Sequence, residues 1–256
     1  MTALLQALGI TRGIVAAIGA GGKKSLLYAI AAASRHRVAW TTTVHTPRPP
    51  RWTGMEINVA EPEELLRRAG ARSAARIRGF FRPSTKTGRV AGLDVEQVEA
   101  LHEAGDFDLT LVKADGARMR GIKAPKAGEP VLPPGTHRVL VVVSAGVLGR
   151  PLNDAVAHRC DRIAEVAGLA VGEPIGPAHF ARLFSHPHGC LQGTARMGVV
   201  AVINQVDDPQ RRREAETAAR AMLAAGPTLD RVVLTHLAPG HDPADAVVTV
   251  VRSGPA

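Results

Sequence analysis

Between Gly13 and Ala31 an apolar run breaks into a cluster of glycines and a lysine pair, then resumes as a helix-like stretch. Gly13-Ile14-Val15-Ala16-Ala17-Ile18 reads as a buried strand, Gly19-Ala20-Gly21-Gly22-Lys23 as a loop, and Leu26-Leu27-Tyr28-Ala29-Ile30-Ala31 as the helix that follows. Strand, glycine loop and helix start form the context that a phosphate-binding loop requires. Glycines let backbone N–H groups close on phosphate oxygens, and the helix N-terminus adds the positive end of a dipole. Lys23 is then the group that reaches the terminal phosphates, as a catalytic as well as a binding residue.

The pattern departs from G-x-x-x-x-G-K-[ST] at two places. Ala17 stands at its first glycine, and Lys24 stands where a Ser or Thr would hold Mg²⁺. Ser25 is the next hydroxyl, but it lies about 100° further round the helix and cannot simply take over. Gly19, Ala20, Gly21, Gly22, Lys23, Lys24 and Ser25 are the candidate phosphate-binding residues. The plainer alternative is a glycine-rich turn without a ligand.

Strand and helix patterns alternate along the rest of the chain. Strands are expected at 37–43, 74–81, 107–114, 138–144, 198–203, 232–235 and 246–251, and helices at 61–69, 94–104, 154–167, 177–185 and 208–225. This alternation predicts an α/β fold of the P-loop NTPase type, with a mainly parallel sheet and helices on both faces. Residues 1–256 read as one such domain with a polar, basic loop at about 116–136, carrying Arg118, Arg120, Lys123 and Lys126. A loop that long inside a compact domain is usually functional or mobile.

The charge is uneven. The first 128 residues hold 20 lysines and arginines against 11 acids, and the remainder hold 12 of each, so the net +9 lies with the glycine loop. That suits an anionic ligand. Nucleic acid is the weaker partner reading, because aromatics are 3% of residues and no common nucleic-acid signature is present. Cys160 and Cys190 are too few and too far apart for a disulfide framework. No apolar run spans a bilayer and no signal peptide is evident, so the expected location is the cytoplasm, away from membranes.

Four further positions carry chemistry. Asp115 follows the strand Leu109-Thr110-Leu111-Val112-Lys113-Ala114, where P-loop proteins place an acid that holds Mg²⁺; Asp-Gly is also a common turn pair. With Ser25 it is the candidate metal ligand, and with Lys23 it is a candidate catalytic residue. Thr42 and Thr43 end a strand beside the loop, where hydroxyls can touch phosphate. Asn204-Gln205-Val206-Asp207 resembles N-K-x-D, in which the acid reads guanine, with Gln205 in place of the lysine; Asn204 and Asp207 are the candidate base contacts, and a capping role for Asp207 or Asp208 is the alternative. His186-Pro187-His188-Gly189-Cys190 matches no standard zinc spacing.

Taken together, Gly19-Ala20-Gly21-Gly22-Lys23, Thr41-Thr42-Thr43-Val44-His45 and Ala114-Asp115-Gly116-Ala117-Arg118 resemble the YqeC family. So do Lys123-Ala124-Pro125, Glu129-Pro130, Gly149-Arg150-Pro151-Leu152, His158-Arg159, His186-Pro187 with Gly189, and Asn204 with Asp207. The resemblance runs in order from about Ile14 to Leu234. It implies a P-loop fold and a part in maturing selenium-dependent molybdenum hydroxylases or their cofactor. Three positions differ from that family's usual residues: Lys24 for Thr, Lys113 for Glu and Gln205 for Lys. The first two add positive charge where Mg²⁺ would bind beside ATP or GTP. The functions left open are a nucleoside triphosphate hydrolase or phosphoryl-transfer factor with an impaired metal site, a binding module that carries or senses a phosphorylated ligand without turnover, and, weakest, a nucleic-acid-binding protein.

Overall fold

A computed structural model describes residues 2–195, 197–226, 229–237 and 243–253. Nine strands form one sheet: β1 (Gly13–Gly19), β2 (Val38–Thr42), β3 (Glu56–Val59), β4 (Ile77–Phe81), β5 (Leu109–Lys113), β6 (Thr136–Ser144), β7 (Gly198–Asn204), β8 (Arg231–Thr235) and β9 (Val247–Arg252). Their order across the sheet is β9-β8-β7-β6-β1-β5-β2-β4-β3. Every neighbouring pair is parallel except β8 with β9. Among the described residues, no helix is long and apolar enough to cross a membrane.

Alternate residues of β1 serve opposite faces of the sheet. Ile14, Ala16 and Ile18 join one core; Val15 and Ala17 join the other. Both cores are mainly aliphatic, with Tyr28, Trp40 and Phe81 in one and Phe80, Phe107, Phe180 and Phe184 in the other, and the strands read as apolar runs, as expected of a sheet covered on both sides. Helices α1 (Ala3–Leu8) and α2 (Lys23–Ala33) cover the second core with Leu4, Leu8, Leu26 and Ile30. Helices α3 (Pro62–Gly70), α4 (Val95–Ala104), α5 (Cys160–Ala167), α6 (Pro177–Ser185) and α7 (Pro209–Ala224) cover the first. This is the α/β, P-loop NTPase-like arrangement that the alternation implies.

The chain leaves β1 towards β2 on one side, while β6 and β7 lie on the other. β1 therefore stands where the strand order reverses, and its carboxyl end opens a crevice of the kind that holds ligands in such sheets. The glycine loop sits at that edge.

Several elements differ from expectation. The stretch at 154–167 is helical only from Cys160. Asn153 accepts the Ala155 and Val156 N–H groups in a turn, and Arg159 takes φ +69, outside the helical region. Ala157-His158 instead pair in parallel with Ile122-Lys123, so the basic loop is tied to this segment. Helix α1 and edge strand β3 are additional elements. Strand β4 starts at Ile77 rather than at 74.

Candidate functional site

The glycine loop turns on positive φ angles that a β-carbon would obstruct. Gly19 takes φ +90, and a Cβ there would lie 2.3 Å from the Val142 carbonyl oxygen of β6. Gly22 takes φ +114, with a Cβ 2.2 Å from Asn204 Nδ2. Asn204 in turn donates to the Gly21 carbonyl at 2.9 Å and accepts from Thr235 Oγ1 at 3.0 Å. It thus pins the loop to β7 and β8. Gly22→Ala is expected to displace Asn204 and cost roughly 1–3 kcal/mol of stability, from backbone strain alone; urea unfolding measures it, and an unchanged midpoint contradicts the contact.

Behind the loop lies a line of charge, buried at Lys23, Asp115 and Lys123 and half-buried at Glu129 and Arg159. Lys23 Nζ donates to the Gly19 carbonyl and forms an ion pair with Asp115 Oδ1 at 2.9 Å. The Gly19 N–H donates to Asp115 Oδ2 at 2.9 Å, and Lys123 Nζ lies 2.8 Å from the same oxygen. Lys123 Nζ also lies 2.8 Å from Glu129 Oε2, whose other oxygen is held by Arg159 at 2.7 Å. Burial would raise the Asp115 carboxyl, but Lys23 and Lys123 together hold it below its ordinary value. Burial likewise opposes the Glu129 charge, yet Arg159 and Lys123 bring its pKa to about 2. Burial lowers Lys23, against the pull of Asp115. Cys190 closes the back of this line with its thiol against the Lys123 carbonyl at 3.6 Å, pushed up to about 12 by burial and the nearby Asp115 charge.

In front of the loop is a cleft of about 430 Å³. Its charged walls are Lys23, Lys24, Arg89, Lys113, Arg118 and Arg120, and it is lined by no carboxylate. Arg89 arrives because Arg89-Val90 pair with Thr46-Pro47 in a short antiparallel ladder. Arg118 and Met119 both take positive φ, +46 and +63, at the tip of the loop that closes one side. Consecutive non-glycine residues there store strain of the kind found at ligand clamps. Lys113 Nζ donates to the Asp115 carbonyl at 2.7 Å; burial and the Lys23 charge bring its pKa to about 7. Burial, then Arg89, lowers Lys24.

The structure gathers Gly21, Gly22, Lys23, Lys24 and Ser25 on the cleft, with Asp115 directly behind them. The Gly21 N–H donates to the Arg120 carbonyl at 3.0 Å, and the Ala20 N–H to Val142. Thr42 is buried, its hydroxyl donating to the Lys113 carbonyl at 2.8 Å. Thr43 donates to the Val131 carbonyl at 3.0 Å. Both threonines therefore tie β2 to neighbouring segments. Asp207 lies off the cleft walls, bound to Arg211 at 3.0 Å and His236 Nδ1 at 2.6 Å. Asp208 caps α7, accepting the Arg211 N–H at 2.8 Å.

A divalent metal ion does not fit these residues as they stand. Both Asp115 oxygens face ammonium groups, Ser25 is exposed with no bond to Asp115, and Lys24 fills the adjoining helix position. Among the described residues no group of three or more His, Cys, Asp or Glu is gathered for a metal. Residues that reading the sequence left out of the site are Arg89, Lys113, Arg118, Arg120, Lys123, Glu129 and Arg159. The available signals were the basic loop that carries Arg118, Arg120 and Lys123, the charge excess of the first half, the lysine at 113, and the place of several of these residues in the segments carrying the YqeC resemblance.

Comparison with known proteins covers this same architecture. The model of the YqeC protein family matches residues 15–161, from the strand that enters the glycine loop to just past Arg159. An uncharacterized protein YqeC of Escherichia coli (strain K12) is 29% identical over 203 residues, covering 76% of this chain and 78% of that protein. The family match contains the whole line of charge from Lys23 through Asp115, Lys123 and Glu129 to Arg159; it spans more than half the chain, and on that ground the chain belongs to the YqeC family.

Proposed function

We propose that this protein binds a nucleoside triphosphate, ATP or GTP, through its phosphates in the cleft before α2, as an accessory factor for maturation of selenium-dependent molybdenum hydroxylases. The observation that carries the first part is the cleft wall: six cationic side chains and no acid, at the start of a helix and the carboxyl end of β1. Such a wall with a helix N-terminus favours a multiply charged anion. The client hydroxylase rests on family membership alone. Guanine reading by Asp207 belongs to the same proposal and requires Asp207 to exchange His236 and Arg211 for a base; GTP preferred over ATP, with the preference lost in Asp207→Ala, supports it.

Calorimetry with ATP, GTP and inorganic tripolyphosphate at low salt tests the reading, in EDTA and in Mg²⁺. Binding in EDTA is the expected result. No affinity for any of the three ends it. A second reading, binding without turnover, is favoured by the Asp115 carboxylate being engaged by two lysines; labelled ATP and GTP should be hydrolysed slowly or not at all, and brisk Mg²⁺-dependent hydrolysis contradicts it.

The Lys113 pKa of about 7 sets a pH dependence. Lys113 carries charge below that value and loses it above. Anion affinity should therefore fall as pH rises from about 6 to about 8. One unit charge several ångströms from a phosphate is worth on the order of 1 kcal/mol, about fivefold in Kd. Lys113→Met should flatten the profile at the weaker level. For stability the sign is opposite: the folded-state value lies below the unfolded one, so the cost of charging buried Lys113 is fully present below about 7 and is relieved progressively as pH rises from about 7 towards the ordinary lysine value of 10.5.

A further inference from the structure

Lys123 is 2% exposed and does not line the cleft, yet it is the hinge of the buried charges. Its Nζ lies 2.8 Å from an oxygen of Asp115 and 2.8 Å from an oxygen of Glu129. Asp115 has Lys23 on its other oxygen, and Glu129 has Arg159 on its other oxygen. The charges alternate along the line, with Lys123 at its centre. If Lys23 turns from Asp115 towards an anion in the cleft that it lines, Asp115 needs another counter-ion. A buried carboxylate abandoned by its only counter-ion would be strongly disfavoured. In P-loop sites a divalent ion neutralises charge at this place. Here Lys123 and Arg159 together still balance both carboxylates whichever way Lys23 points.

We infer that Lys123 is the resident cation of this site: its ammonium holds the place between Asp115 and Glu129 that a divalent ion would take, leaving Lys23 free to exchange Asp115 for an incoming anion. The role of Lys23 in this inference rests on the anion-binding reading of the cleft; the place of Lys123 does not. Lys123 is a positioning residue, acting through Asp115. Removing its side chain leaves two carboxylate oxygens converging on one vacated point, and carboxylates at that separation suit hard cations such as Mn²⁺, Mg²⁺ or Ca²⁺.

The test is an Mn²⁺ titration followed by electron paramagnetic resonance on the full chain. The parent and Lys123→Arg should show no Mn²⁺ binding that depends on Asp115. Lys123→Ala should acquire one Mn²⁺ site at least about tenfold tighter than any in the parent, and adding Asp115→Asn to that variant should abolish it. If Lys123→Ala is unfolded, Mn²⁺ should restore its cooperative melting, since a ligand that binds only the folded state stabilises it. Asp115-dependent Mn²⁺ binding by the parent overturns the inference. So does a folded Lys123→Ala that gains no site, or an unfolded one that Mn²⁺ does not rescue. Tripolyphosphate binding by the parent is scored separately, so loss of the nucleotide reading and loss of the resident cation are distinguishable.

Discussion

Asp115→Asn should lower the stability of this protein by about 3–5 kcal/mol, the usual cost of removing one partner from a buried ion pair. The change keeps the side-chain shape and deletes only the charge. Lys23 and Lys123, both buried, would then face each other across a neutral amide, with Lys113 close by. Lys123 retains Glu129 as an ion-pair partner, whereas Lys23 keeps only the weaker, longer-range pull of Glu129. Against a typical total of about 5–15 kcal/mol, a loss of this size is easily measured by urea unfolding. The same linkage gives the acid limb of stability. The folded-state pKa of Asp115 is depressed, so its contribution is present above the ordinary carboxylate range and is lost as pH falls through the folded value. The parent should therefore lose stability on acidification, and Asp115→Asn should lose less. A variant as stable as the parent would show that the three ammonium groups do not depend on this carboxylate.

Lys23→Ala should behave in the opposite way. Asp115 keeps Lys123 and the Gly19 N–H, so no buried carboxylate is stranded. Lys23 is itself disfavoured by burial, and its removal relieves part of that cost. Stability should change by less than about 1.5 kcal/mol, the scale of an ordinary hydrogen bond. Binding of ATP, GTP or tripolyphosphate should instead weaken by roughly 10- to 100-fold, because a hydrogen bond to a charged group is worth about 1.5–3 kcal/mol. The pair of variants separates the two roles: Asp115 governs stability, and Lys23 governs affinity. Unchanged affinity for every nucleotide that the parent binds would place the phosphate site elsewhere.

Some of this architecture is readable one segment at a time. The apolar runs at 109–113, 139–143 and 198–203 become β5, most of β6 and most of β7 because a strand buried on both faces needs no polar alternation. The glycines at 19, 21 and 22 announce a loop that only backbone without β-carbons can make. Asp208, ahead of Pro209 and a charged helix, announces a cap that the structure contains. The family itself was legible, since its motifs lie in order along the chain.

Local pattern has no term for what meets across the sheet. The helix expected from 154 begins at Cys160 because Ala157-His158 find β partners in Ile122-Lys123, 35 residues earlier by register. The basic loop reads as a free excursion in sequence, but Lys123 to Asp115 and Glu129, Arg159 to Glu129, and Gln192 to the Lys126 and Glu129 carbonyls fasten it. Asp115 reads as a metal ligand because an acid after a buried strand is the only clue available there. Its surroundings come from Lys23, at the start of α2, and Lys123, in the loop after β5, each on a different carboxylate oxygen. Hydrophobic period and turn chemistry depend on neighbours a few residues apart, so the sequence by itself determined the α/β class, the glycine loop and the family. Ion pairing depends on distance and burial between residues brought together by the whole sheet, so only the tertiary structure decided that Asp115 is enclosed by lysines and that the cleft before it is lined by six lysines and arginines and no acid.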